Sequence, residues 1–470
     1  MKKNLRVQAL AFAVLMVLAA CGQKPGVHQG LTSGESGLAA GAAGEEASGE
    51  AGAGAAGDAG AAAGAAGGAA GGAAGAAGAA AGRAGGAAGG GGPAAGNVKA
   101  GDKTGISETE IRIGIHAPVT GAAPFPASAF AKGRDIYWTW SGAPKVHGRT
   151  VKIFFENDDY NPTTAVDRCR KLAEQDKVFL LVGAGGTDQI QACARYAASK
   201  GIPYLSAGTT EIGLRNLKNY FAVSMSYAQQ GPLLWQLVQR HPDLSGFQDK
   251  VAMVYTNTPN FQDARDSFVK AMGSKKLVLE RKMSKNPSAS EYQQTATALQ
   301  SSGAEVVYIL TAPLHYIQLT ARTGGYRPWW VGVGISKGLN DVLGTGCPTS
   351  GNAMEKGRFF SPFPGTDVID SLDPSYNKAY REKNGSAGDD LGIALWGLNK
   401  TLHKLFEAAG PDVSRGSFIL SSEKAAVQSG VFPPIQNSPT NHFGSSQVHL
   451  LRADCTSRTY KTEKAFASGF

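Results

Sequence analysis

The chemistry-bearing residues of this sequence are few and sit next to glycines. In Leu181-Val-Gly-Ala-Gly-Gly-Thr-Asp-Gln-Ile190, an apolar run at 178–182 reads as a strand, residues 183–186 as a glycine turn, and Thr187 or Asp188 as a helix start. Glycines let the backbone turn sharply and leave N–H groups open. Thr187 can cap the helix, and the first turn of a helix favours an anion, so the stretch offers a cradle for a carboxylate-sized group. The same pattern is also compatible with an ordinary strand-to-helix turn. A second loop, Ser206-Ala-Gly-Thr-Thr210, is rich in small and hydroxyl residues. Gly334-Ile-Ser-Lys-Gly338 matches the nucleophile-elbow pattern, with Asp389 or Asp390 and His442 or His449 following in hydrolase order, so a serine hydrolase using Ser336 is a remote alternative. There is no CxxC and no nearby His pair, so zinc is not expected, and neither is any cofactor.

These residues must be held by strands and helices in alternation. Apolar runs at 111–115, 151–156, 178–182 and 202–205 alternate with helical patterns at 127–140, 162–175 and 190–198. The rhythm resumes at 251–255, 261–272, 277–281, 291–301, 306–310, 314–322 and 330–333. Alternation with short connections predicts an α/β fold with parallel, doubly wound sheets, and a break near 220–230 predicts two lobes. In such sheets ligands sit beyond the carboxyl ends of strands where the strand order reverses. With order 2-1-3-4 in the first lobe, the reversal lies between the loops at 117–126 and 183–187, and the glycine turn faces the crevice.

The start of the chain is a different kind of polymer. Lys2, Lys3 and Arg6 precede an apolar run at 9–20, ending in Leu18-Ala-Ala-Cys-Gly22. This is the form of a secretory signal, too short for a comfortable membrane span. The cysteine after Leu-Ala-Ala resembles the bacterial lipobox, which implies cleavage before Cys21, a lipid on its thiol and an extracytoplasmic, membrane-anchored location. From Gly22 to Thr104 there is no Phe, Tyr or Trp, and glycine and alanine dominate. Such a segment cannot offset the entropy of ordering, and about 80 residues of it span roughly 50 Å as a tether. Net charge is +9, but the basic residues are scattered and the densest group, Lys275, Lys276, Arg281, Lys282 and Lys285, reads as a solvated face. No nucleic-acid module is visible. Besides Cys21 there are Cys169, Cys193, Cys347 and Cys455. Right-handed crossovers put the helices carrying Cys169 and Cys193 side by side, so a disulfide is expected there, with Cys347–Cys455 as the second pair; four free thiols in small core sites are the alternative.

Several stretches together resemble the periplasmic binding proteins for branched-chain amino acids. They are Ile111-Arg-Ile-Gly-Ile-His-Ala-Pro-Val-Thr-Gly121, Asn157-Asp-Asp-Tyr-Asn-Pro162, Gly201-Ile-Pro-Tyr-Leu-Ser206, Gln229-Gln-Gly-Pro232 and Gly357-Arg-Phe-Phe360. The resemblance implies a type 1 fold, two lobes closing on a solute without chemistry, and delivery to an ABC permease and ATPase complex; a sensor for a signalling membrane protein is the alternative. It places lobe 1 at 105–225 and 361–437 and lobe 2 at 226–360 and 438–470, with crossings near 220–226, 358–361 and 437–442. It implies that Gly186, Thr187, Gly208 and Thr210 hold a ligand carboxylate. Phe125, Tyr227, Asn260 and Phe261 are candidates for the cleft wall, and His116 reads better as structural. The expected ligand is a small amino acid-like, carboxylate or amide solute; at the place where amino-acid binders carry an acid for the ligand ammonium, this sequence has Ser336 beside Lys337, so a carboxylate or amide without an ammonium fits better than a classical amino acid.

Overall fold

A computed structural model describes residues 100–258, 261–334 and 338–470. The signal segment 1–20, Cys21, residues 22–99, Asn260, Ser336 and Lys337 lie outside the described residues.

The first lobe opens with β1 (Glu110–Ala117), α1 (Ala127–Gly133), α2 (Ile136–Thr139), β2 (Thr150–Asn157) and α3 (Pro162–Glu174). It continues with β3 (Leu180–Gly183), α4 (Thr187–Ser199), β4 (Tyr204–Ser206) and β5 (Tyr220–Ala222). The strands form one parallel sheet in the order β2-β1-β3-β4-β5, with the reversal between β1 and β3. Asn161 caps α3 by accepting from the Thr163 and Thr164 N–H groups, with Pro162 at the first position, as its spacing predicts. The helix expected over 127–140 is two helices. Asp135 leaves helical geometry, and beyond it the Trp138 indole donates to Asn399 at 2.8 Å, pinning α2 to a later helix.

The second lobe runs α5 (Tyr227–Arg240), β6 (Val251–Thr256), α6 (Gln262–Met272), β7 (Leu279–Met283), α7 (Ala289–Ser301), β8 (Val306–Leu310), α8 (Pro313–Thr320), β9 (Trp329–Gly332), α9 (Asn340–Thr349) and β10 (Gly357–Ser361). Then come α10 (Ile369–Leu372), α11 (Pro374–Asn384), α12 (Asp390–Ala409), α13 (Arg415–Ser422), β11 (Ala426–Val427), β12 (Ile435–Gln436), β13 (Val448–Asp454) and β14 (Thr459–Ala467). Helix α12 packs on α1 and α2 of the first lobe. The second sheet has the order β14-β13-β10-β9-β8-β6-β7. It is not wholly parallel, because β13 and β14 form an antiparallel hairpin on its edge. A hairpin needs only a tight turn, so it carries no helical interval for the alternation pattern to register.

Residues 100–104, read in the sequence as tether, belong to the fold. The buried Arg415 guanidinium pairs with Asp102 at 2.8 Å and donates to the Val178 and Phe179 carbonyls. Ser414 donates to the Ala100 carbonyl. Cys169 is bonded to Cys193 across α3 and α4, and Cys347 to Cys455 between α9 and the β13–β14 hairpin.

Candidate functional site

A cleft with about 960 Å³ of open space lies at the carboxyl ends of β1 and β3 and faces the second lobe. Its lining includes Phe125, Gly186, Thr187, Gly208, Tyr227 and Phe261, which the sequence singled out. The helix cap differs from expectation. Gly186, not Thr187, is the N-cap of α4, with a φ of 79° that favours glycine, and no side chain caps the helix. A Cβ on Gly186 would overlap the Gln189 side chain. Thr187 is therefore the first helical residue, and its hydroxyl is not spent on capping. The first N–H that finds an intrahelical carbonyl is that of Ile190, bonded to Gly186, so the N–H groups of the first turn are open to a ligand or water.

Two expected contacts are corrected. Thr210 does not line this cleft; it is fully buried and its hydroxyl donates to Asp263 on α6 at 2.7 Å. Its neighbour Thr209 lines the cleft instead. The Gly208 N–H is already given to the Ser224 hydroxyl at 2.8 Å, so Gly208 contributes wall and not a donor. A Cβ there would strike the Ser224 and Met225 carbonyls, which explains the glycine.

From the second lobe, Tyr227 reaches Thr187 and is hydrogen-bonded to it; burial pushes the phenol up to about 12. The Tyr227 ring stacks on Phe261, with centroids 6.1 Å apart. Phe261 is the N-cap residue of α6; it lines the cleft and also packs against the core of the second lobe. Phe125 packs against Gly185, where any Cβ would overlap its ring. His116 sits below the floor, fully buried, between Asp158 (2.7 Å) and the Tyr204 hydroxyl (2.6 Å), a structural position. His116 also lies near the sulfurs of Cys169 and Cys193, but these are bonded to each other and offer no thiolate.

The sequence reading missed Asp341. It stands in the first turn of α9 and lines the cleft from the second lobe, and burial raises its carboxyl above the usual range. Ser336 marks the expected position after β9, but an acid enters the cleft five residues later, where α9 begins. The hydrolase partners are committed elsewhere. Asp389 caps α12 by accepting from the Gly392 N–H. His442 bonds the Tyr220 carbonyl, and His449 bonds that of Val431.

One pattern runs through the molecule. Helices α3, α7, α11, α12 and α13 are capped by Asn161, Ser288, Asp373, Asp389 and Ser414, and α5 by Ser226. Helices α1, α2, α4, α6, α8, α9 and α10 have no side-chain cap. Of their N-cap residues, Pro126, Gly186, Phe261, Ala312 and Leu339 line the cleft, and Asp135 and Val368 of the short helices α2 and α10 do not. Positive helix ends without their own acceptors converge on one space, which suits an anionic or polar solute.

Two lobes with an open space between them, bordered by uncapped helix ends, define a receptor for a small solute. The chain belongs to the periplasmic binding proteins, whose family profile matches residues 110–459. Solved structures share the fold. A possible leucine/isoleucine/valine-binding protein of Rhodopirellula baltica is 16% identical, with TM-score 0.63 over 77% of this chain and 98% of that one. The branched-chain amino acid transporter substrate-binding protein of Streptococcus pneumoniae, in complex with isoleucine, is 15% identical (TM-score 0.61; 76% and 98%). A fatty acid ABC transporter substrate-binding protein of Thermomonospora curvata is 17% identical (TM-score 0.63; 79% and 95%). A search of curated proteins found no match.

Proposed function

We propose that the protein is the solute receptor of an ABC importer, anchored outside the membrane by a lipid on Cys21, and that its solute carries a carboxylate and an ammonium. The carboxylate rests on the open N–H groups of α4 and the hydroxyls of Thr187 and Thr209. Charge-assisted hydrogen bonds there offset its desolvation. The ammonium faces Asp341. The observation that carries this reading is the uncapped start of α4, with Thr187 meeting Tyr227 of the other lobe. Because Thr187 and Tyr227 come from different lobes, a solute that engages both favours the closed form. The presence of Asp341 supports an amino-acid-like solute over the ammonium-free ligand that Ser336 and Lys337 suggested.

A thermal-shift screen of amino acids, short carboxylates and amides tests the reading, since binding to the native state raises stability by mass action. Stabilisation by α-amino acids is expected. Stabilisation confined to neutral amides would refute the zwitterion. For the anchor, Cys21→Ser should move the protein from the membrane fraction to the soluble fraction; unchanged membrane association would refute lipidation.

A further inference from the structure

Two consecutive residues of the loop between β2 and α3, Asp159 and Tyr160, each hold a φ of 53°. Left-handed backbone is uncommon outside glycine, and for a side chain as bulky as tyrosine it is an outlier that costs free energy. The surroundings enforce it. The Asp158 carboxylate, fully buried and bonded to His116 at 2.7 Å, accepts the Tyr160 N–H at 3.1 Å. The Asn157 side chain accepts the Asp159 N–H at 3.1 Å. The loop after β1 presses on the same turn, so that a Cβ on Gly121 would strike the Asp159 carbonyl. The helix that follows does not need a tyrosine here, because Asn161 alone supplies the cap of α3.

The enforced turn places a tyrosine in the cleft. Tyr160 lines it from the first lobe, together with Thr187, and faces Tyr227 and Phe261 of the second. Its phenol lies within electrostatic reach of Asp188 in the first turn of α4, of Asp158, and of the Tyr227 phenol that is bonded to Thr187. Burial, Asp188 and Asp158 all push the Tyr160 phenol up, so it keeps its proton. Among the described residues its side chain makes no hydrogen bond and no ring contact. Backbone strain held by its surroundings clusters at ligand clamps, and here it holds a side chain that the fold itself does not use.

Resting on the cradle reading above, we propose that Tyr160 is a further solute-binding residue, whose hydroxyl donates to the carboxylate lying on the start of α4 beside Thr187. A protonated phenol gives its hydrogen to an oxygen. The solute oxygens that approach Thr187 and Tyr227 are those of the carboxylate. Asp188 does not take the proton, since the two side chains are not hydrogen-bonded, and the helix end offsets its charge.

The test is calorimetry of the standard L-amino acids on the wild type, with the tightest binder among them carried to Tyr160→Phe, Thr187→Val and the double variant. Tyr160→Phe keeps the ring and removes only the hydroxyl. It should melt at the wild-type temperature when no amino acid is added, and bind the amino acid roughly tenfold more weakly. The double variant should lose less than the product of the two single losses, because both hydroxyls serve one carboxylate. Unchanged affinity in Tyr160→Phe, with Thr187→Val weakened, would overturn the role of Tyr160 and leave the cradle standing. A lower melting temperature of the free Tyr160→Phe protein would do the same, by showing that the hydroxyl serves the fold. Losses that multiply would overturn the shared carboxylate. Binding indifferent to Thr187→Val, or no binding by any of the amino acids, would overturn the cradle reading and the proposal with it.

Discussion

Thr187, Thr209, Tyr227 and Asp341 make the site at the residue scale. The Thr187 hydroxyl is not spent on capping α4, because a glycine, not the threonine, sits at the cap position. Thr209 and Thr210 show what a sequence can hide. Both are hydroxyls in one loop, and only packing decides that one faces the cleft while the other binds Asp263. Asp341 was hidden for another reason: its place depends on where α9 starts, and nothing in the loop before it marks that start. Asp341→Asn should weaken a solute with an ammonium by about 1.5–3 kcal/mol, the scale for a hydrogen bond to a charged group. A solute lacking the ammonium should be unaffected. Calorimetry with a matched pair, such as an amino acid and its deaminated analogue, checks both.

Elements were more legible than residues. Strand-to-helix alternation over 111–333 fixed the order of β1–β4 and β6–β9, because each change of hydrophobic period marks a change of element. The segment that returns to the first lobe as α10–α13 had no such rhythm. Its helices are held by specific contacts, such as Arg415 with Asp102, that only the fold brings together. The bridge between Cys169 and Cys193 ties α3 to α4, the helix whose start forms the cradle. Replacing both cysteines by serine should cost about 2–4 kcal/mol, as for other loops of this size. Urea unfolding of the variant against the oxidised wild type measures it. Equal stability would mean that the cysteines are already free thiols.

Among the described residues, two lobes meet through buried acids. Asp263 of the second lobe accepts the Thr210 hydroxyl and the Glu211 N–H of the first. Asp390 on α12 accepts the N–H of Asn340 at the start of α9. Burial pushes the Asp390 carboxyl from 3.8 up to about 7. A raised carboxyl favours the protonated folded state. Its stabilising share is complete below about pH 3.8 and is lost as pH rises towards 7. Asp390→Asn stays neutral throughout, so its stability relative to the wild type should rise between pH 4 and pH 7. Unfolding at pH 4.5 and pH 8 reads that difference; a constant difference would show that Asp390 does not titrate in this window.

The central claim is that the start of α4 holds the carboxylate of a solute and that closure follows from it. Calorimetry of the strongest solute from the thermal-shift screen, on the wild type and on Thr187→Val, tests it most directly. The expected loss is about 1.5–3 kcal/mol, or roughly tenfold to a hundredfold in affinity. Equal affinity in the two proteins would contradict the claim and move the solute away from the cradle.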